Sequence, residues 1–225
     1  NYESVTNIVI APVSTTRYTA DKNSPAVGLV IKPRKWLSLY GTYIEGLEEG
    51  GVAAAQQANA GEILPPNKSE QYELGVKVEL GEVLISTAYF DIDRPSTFVN
   101  NTINRLVQDG RTSYKGVEFS AAGPLSENLS VYTTAMTLDA KQERTQTAAL
   151  QGLRPENTPK FTGSLFLEYK LPFVPGLSVS GGAFYTGNRA INQANIAIVG
   201  GYTTFDLGAR YTAELMGHDT TIRLY

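Results

Sequence analysis

Apolar and polar positions take turns along most of this chain. Tyr72, Leu74, Val76, Val78 and Leu80 fall on one side of a two-residue period, and Gln71, Glu73, Gly75, Lys77 and Glu79 on the other. The same period sets Phe161, Leu165, Leu167, Tyr169 and Leu171 against Thr162, Ser164, Glu168 and Lys170. It returns in Leu177, Val179, Ala183 and Tyr185, and in Phe205, Leu207, Ala209 and Tyr211 opposite Asp206 and Arg210. Shorter stretches repeat it: Val117 and Phe119 oppose Glu118 and Ser120, and Leu37, Leu39 and Tyr43 oppose Ser38 and Thr42. A period of two puts alternate side chains on opposite faces of a strand. Segment 83–92 is less regular, with apolar residues on both sides. The pattern predicts strands over 26–33, 35–46, 69–80, 83–95, 111–122, 127–140, 158–171, 177–188, 201–213 and 219–225. The Ala/Gln run 52–60 is the one helical candidate, and it lacks an amphipathic stripe.

Many of these segments are about twice the roughly 5–6 residues usual for soluble strands, and suit the ~9–11 residues of a tilted strand crossing a bilayer. The connections sort by parity. "EGLEEGGVAAAQQANAGEILPPNKSE" is long, "GE" short, "RPSTFVNNTINRLVQDG" long, "GPLSE" short, "KQERTQTAALQGLRPENTP" long, "PFVPG" short, "NRAINQANIAIVGG" long and "AELMGHD" short. A transmembrane barrel has this asymmetry because alternate turns lie at the same membrane face, tight on the periplasmic side and extended outside. A soluble sandwich has no reason for it. One apolar face toward lipid and one polar face toward a wet interior complete the expectation. An open edge cannot be hydrated in lipid, so the sheet must close: about ten strands could form a small barrel alone or part of a larger one, and the terminal strand that has only just begun favours the second. The fold class is therefore all-β, an antiparallel transmembrane β-barrel, partial in this chain. No apolar run reaches the ~18–20 residues of a membrane helix.

Composition narrows the chemistry. A net charge of −3, from 19 basic and 22 acidic residues, gives no footprint for phosphate backbones, so nucleic acid is not an expected partner. With no Cys, disulfides, thiolate metal sites and cysteine nucleophiles are excluded together. A single His, His218, makes a histidine metal cluster or a serine hydrolase improbable, and its predicted place is a short periplasmic turn. No catalytic residue, cofactor or protein-bound metal is expected. The chain starts at Asn1 with no basic-then-apolar leader and stops at Tyr225 within "HDTTIRLY", a strand only just begun, so a piece of a longer protein is expected.

The stretches "NSPAVGLVIKPRKWLSLYGTYIEGLEEG", "SEQYELGVKVELGEVLISTAYFDIDRP", "GRTSYKGVEFSAAGPLSENLSVYTTAMTLDAK", "GLRPENTPKFTGSLFLEYKLP" and "GLSVSGGAFYTGNRAINQANIAIVGGYTTFDLGARYT", in that order, resemble the C-terminal half of a TonB-dependent siderophore receptor barrel over about residues 24 to 225. The resemblance implies one domain, 1–225, from the C-terminal part of a 22-stranded barrel. The plug, the early strands and the closing strands would lie outside this chain. It implies an outer-membrane monomer that imports a ferric siderophore into the periplasm, energised by TonB through the missing N-terminal region. Alternatives are a passive channel, or a TonB-dependent transporter of cobalamin, haem or a saccharide.

Most polar and aromatic positions have a plain reading. Glu45, Glu48 and Glu49 open a long loop, and Asp91, Asp93 and Arg94 mark a strand end. Trp36, Tyr40, Tyr43, Tyr89 and Phe90 are expected in aromatic girdles. A bulky, often aromatic or anionic ferric siderophore needs Tyr, Trp and Arg around a concave vestibule. On this topology the candidates nearest the outer mouth are Tyr185, Arg189, Asn192, Phe98 and Arg105.

Overall fold

Period-two alternation resolves into a single antiparallel sheet in the computed structural model, which describes residues 23–215 and 217–224. The strands are β1 (Ala26–Arg34), β2 (Leu37–Glu48), β3 (Asn67–Leu80), β4 (Val83–Asn100), β5 (Arg105–Pro124), β6 (Leu129–Arg144), β7 (Phe161–Lys170), β8 (Leu177–Thr186), β9 (Arg189–Ala190), β10 (Ile198–Val199), β11 (Tyr202–Leu215) and β12 (His218–Leu224). Ten of them pair in the order β1-β2-β3-β4-β5-β6-β7-β8-β11-β12. β9 and β10 form a separate two-stranded ribbon inside the connection from β8 to β11. The predicted tenth strand is β12, and its last residue, Tyr225, lies outside the described residues. Tight connections at 35–36, 81–82, 125–128 and 171–176 share one end of the sheet with the β11–β12 turn; those at 49–66, 145–160 and 187–201 share the other.

Register carries the apolar positions across the whole sheet. One row runs Ile31, Leu39, Val76, Thr87, Phe119, Ala135, Gly163, Tyr185 and Thr203. The next runs Leu37, Val78, Ile85, Ala121, Thr133, Leu165, Ala183 and Phe205. A one-residue slip anywhere would move a strand's apolar set to the other face, so this pattern fixes the pairing. Among the described residues no second layer covers these rows. Leu207 is 82% exposed, Phe205 75% and Leu74 67%. The large apolar side chains are thus outside, the reverse of a sandwich, and the buried apolar residues among those described are scattered ones such as Ala88, Phe90 and Ala190. Hydrocarbon is the solvent such a surface requires.

Two expectations need correction. The long link after Asp93 is mostly ordered: β4 and β5 run on as a protruding hairpin, 18 and 20 residues long, and only 101–104 remain as its tip. Pro95 is tolerated because β4 has outrun β3, whose last pair with it is Glu70↔Asp93, so an unpaired edge faces away from β5. β6 likewise continues to Arg144 rather than ending at 140. Segment 52–60 forms turns plus one bridge, Val52↔Ile63, and the helical material among the described residues is a single 3-10 turn, Ala148–Leu150.

Candidate functional site

The end with the long connections is built by two interlocked clusters. In the first, segment 49–66 leans on the β4–β5 hairpin. Buried Asn59 donates from Nδ2 to the Leu106 carbonyl at 3.0 Å and accepts the Leu106 N–H on Oδ1 at 3.0 Å. Asn104, in the left-handed region at φ 49°, donates to the Gln56 carbonyl at 2.8 Å, and its own carbonyl accepts the Ala58 N–H at 2.7 Å. Arg105 closes the seam with a 2.9 Å ion pair to Glu62. Phe98 is half-buried on the hairpin, paired with Val107.

In the second cluster, 145–160 and 187–201 hold each other. Asn195, at φ 55°, accepts the Arg154 N–H at 3.1 Å and donates to the Arg154 carbonyl at 2.7 Å. Buried Gln142 donates to the Gln193 carbonyl at 3.0 Å, and the Asn157 N–H reaches the carbonyl of fully buried Ala190 at 2.7 Å. Asn192 spends its Oδ1 on the Ile196 N–H, 3.2 Å away. The Arg189 guanidinium lies over the Tyr202 ring, 5.6 Å from its centroid. Register places Tyr202 opposite Thr186 on the polar face, so this cation–aromatic pair sits where the polar wall meets the loops.

The predicted site residues therefore divide. Arg189 and Asn192 belong to the second cluster, and Phe98 and Arg105 to the first. Tyr185 is placed elsewhere: it stands in the apolar row and packs on Phe161, ring centroids 5.9 Å apart. Tyr202 escaped sequence reasoning because "GGYTTF" reads as an ordinary strand start; its parity relative to Phe205 is the signal that assigns it to the polar face.

The girdle assignment also divides by parity. Tyr43 and Tyr72 pair on the apolar face with ring centroids 4.9 Å apart, and Tyr89 joins them there. Trp36 is exposed in the tight turn at the opposite end. Tyr40 and Phe90 face the polar side instead. Tyr40 donates to Glu73 at 2.6 Å and lies against Gly75 beneath Lys77, while Phe90 covers Gly116. Lower on the same face Arg210 pairs with Glu168 across β8.

The acids read as a loop cluster sit in or beside strands. Glu45 accepts from the Tyr43 hydroxyl and from Lys68, the latter at 2.8 Å. Glu48 takes Arg94 in a two-oxygen fork at 2.8 and 2.9 Å. Asp91 and Asp93 pair with Lys115 and Arg111. His218 is exposed at the start of β12. Among the described residues no group of three His, Cys, Asp or Glu could hold a metal ion.

These seams differ in strength. Arg105→Ala is expected to change stability by no more than about 1 kcal/mol, because the pair with Glu62 is solvated. Asn59→Ala strands a backbone donor and acceptor of Leu106 and is expected to cost about 1–2 kcal/mol locally. Hydrogen exchange of segment 49–66 would rise in the second variant and stay unchanged in the first.

Comparison with known proteins covers nearly the whole chain. The model of the family described as "TonB dependent receptor-like, beta-barrel" matches residues 2–225. The Ferrichrome receptor FcuA of Yersinia enterocolitica is 30% identical over 217 residues, covering 94% of this chain and 29% of that protein. The Ferrichrome outer membrane transporter/phage receptor of Escherichia coli K12 is 29% identical over 184 residues, covering 79% of this chain and 24% of that protein. Among solved structures, BauA, the ferric preacinetobactin receptor of Acinetobacter baumannii, superposes with a TM-score of 0.84 at 31% identity, covering 95% of this chain and 32% of BauA. The chain thus spans about a third or less of the proteins it matches.

Proposed function

From a chain that belongs to the TonB-dependent receptor-like β-barrel family, we infer a portion of an outer-membrane receptor that takes up a ferric siderophore, driven by TonB. Proteins of this family are outer-membrane transporters and not enzymes. The chain contributes part of the barrel wall, residues 1–225, and the complete monomeric receptor would add a plug and the remaining strands. The reading is carried by the siderophore receptors that match along nearly the full chain. The wall has the matching division of labour. Its apolar rows meet lipid, its polar face lines the passage, and the two loop clusters form the mouth.

At that mouth Arg189 is the residue best placed to meet an anionic chelate. Its charge sits above the polar face on Tyr202, at the loop end. Asn192, Phe98 and Arg105 shape the rim, with Asn192 and Arg105 tied into the loop clusters by their own bonds. Tyr185 is left to the aromatic girdle. Arg189→Ala in the full-length receptor is expected to weaken ferric-siderophore binding about tenfold or more, roughly the loss of one charge-assisted hydrogen bond to the anionic chelate. Uptake of radiolabelled ferric siderophore by cells with and without TonB tests the class itself. Uptake that survives loss of TonB would mark a passive pore, and no uptake of any iron chelate would point to another cargo.

A further inference from the structure

The two loop clusters carry their charge differently. In the first, every arginine of the hairpin has its acid: Arg94 pairs with Glu48, Arg105 with Glu62 and Arg111 with Asp93. The second cluster has the opposite balance. Segments 145–160 and 187–201 hold Arg154, Lys160 and Arg189 against a single acid, Glu156. None of these three bases has an ion-pair partner among the described residues. The contacts of the two guanidiniums are to neutral groups. Arg154 donates from Nη1 to the Asn188 carbonyl at 3.1 Å and to Asn188 Oδ1 at 3.3 Å, and Arg189, the next residue along, lies over the Tyr202 ring. Both arginines are half-buried, and their backbones are pinned: Asn195 holds the N–H and the carbonyl of Arg154, and the Asn157 N–H holds the carbonyl of Ala190.

A guanidinium cannot shed its charge, and it has five N–H donors, most of which these contacts leave unspent. Half-burying such a cation without a countercharge costs free energy. Folding gives no reason for it here, because the acids that neutralise the first cluster have no counterpart in the second. A ligand with negative charge on oxygen supplies the missing partner; a neutral one leaves both cations desolvated and unmatched. We propose that Arg154 and Arg189 form a two-point clamp for the cargo, and that the cargo is a ferric complex of net negative charge, with catecholate or carboxylate oxygens, rather than a neutral trihydroxamate complex. This rests on the siderophore reading of the mouth and adds to it the charge of the complex and a second contact, Arg154. Arg105 adds little to the attraction, since Glu62 already neutralises it.

The test measures binding of iron complexes to the full-length receptor in neutral detergent by fluorescence quenching. The probes are ferrichrome, a neutral trihydroxamate, and two anionic complexes, ferric enterobactin (a tris-catecholate) and ferric citrate. One of the anionic complexes is expected to bind at least about tenfold more tightly than ferrichrome, with Arg154→Gln losing about tenfold of that affinity and Arg154→Gln/Arg189→Gln about a hundredfold. Arg154→Lys/Arg189→Lys keeps the preference for negative charge. Added salt weakens binding to the parent and much less to the double Gln variant, because the charges it screens are gone. Lys35→Gln, in the tight turn at the opposite end, is the control and changes nothing. Heat-dependent gel mobility reads folding separately. Ferrichrome as the tightest ligand, or an anionic ligand whose affinity the folded Gln variants leave unchanged, would overturn the clamp and leave the siderophore reading standing. Binding of none of the three would also overturn the clamp, and uptake with and without TonB then decides separately whether the siderophore reading survives.

Discussion

Leu74→Arg in the complete receptor is expected to cost about 1–2 kcal/mol of folding free energy in a bilayer, between the ~2–4 of the midplane and the ~0–1 of the interface, because Leu74 lies just inside the girdle, in the row of Tyr89. Leu74 lies mid-strand in β3, between the girdle residue Tyr72 and the tight turn after Leu80, and is 67% exposed. Its pair across the sheet is Tyr89 on one side and Gly41 on the other, so an arginine there finds no carboxylate to pair with in its own row. In water the same substitution would be nearly free, because surface positions tolerate charge. The size of the effect therefore reports the solvent. Lys77→Gln, three residues on and facing the polar side beside Tyr40, is the control and should change stability by less than about 0.5 kcal/mol. Unfolding in urea from lipid vesicles measures both. A Leu74→Arg receptor as stable as the parent would mean that this face does not meet hydrocarbon.

Gly116→Val is expected to destabilise by about 3 kcal/mol, at the upper end for overpacking. A Cβ at Gly116 would run into the Thr137 carbonyl oxygen of β6 and the Phe90 ring of β4. The ring can turn, but the carbonyl belongs to the β5–β6 ladder and cannot move without breaking it. Gly75 is the milder case, since the three atoms nearest its Cβ would all belong to the Tyr40 side chain. Gly75→Ala should accordingly cost less than Gly116→Ala, and Phe90→Ala should rescue Gly116→Val only in part. The fraction of receptor running as the folded form on unheated gels checks the order.

The same two glycines show where sequence reasoning stops. Period two says that Gly75 and Gly116 face the polar side; only the register says that Tyr40 and Phe90 stand opposite them and fill the space that a side chain would need. Tyr40 and Phe90 read as girdle residues because they are aromatic and near Tyr43 and Tyr89. A shift of one residue from Tyr89 to Phe90, or of three from Tyr43 to Tyr40, changes the face. Parity was available in the sequence, and applying it residue by residue would have separated them. Tyr185 is the same lesson, since it shares its parity with Val179 and Ala183 in the apolar row.

The β4–β5 hairpin was hidden for another reason. Pro95 and the Asn-rich tip argue for a loop by local propensity, and they are overridden by long-range pairing of Phe98, Val99 and Asn100 with Val107, Leu106 and Arg105. The loop clusters were hidden more completely. Asn59, Asn195 and Gln142 bond backbone groups tens of residues away, and a polar side chain carries no sign of which distant carbonyl it will meet.

By itself, then, the sequence determined the strands, their two faces, the parity of the connections and the resemblance that the family match bears out, because a strand's alternation is local and lipid outside with water inside writes it into every segment. Tertiary structure decided which aromatics stack, which glycines must stay bare and how the mouth is locked, because those depend on register between segments and on contacts that no local period encodes.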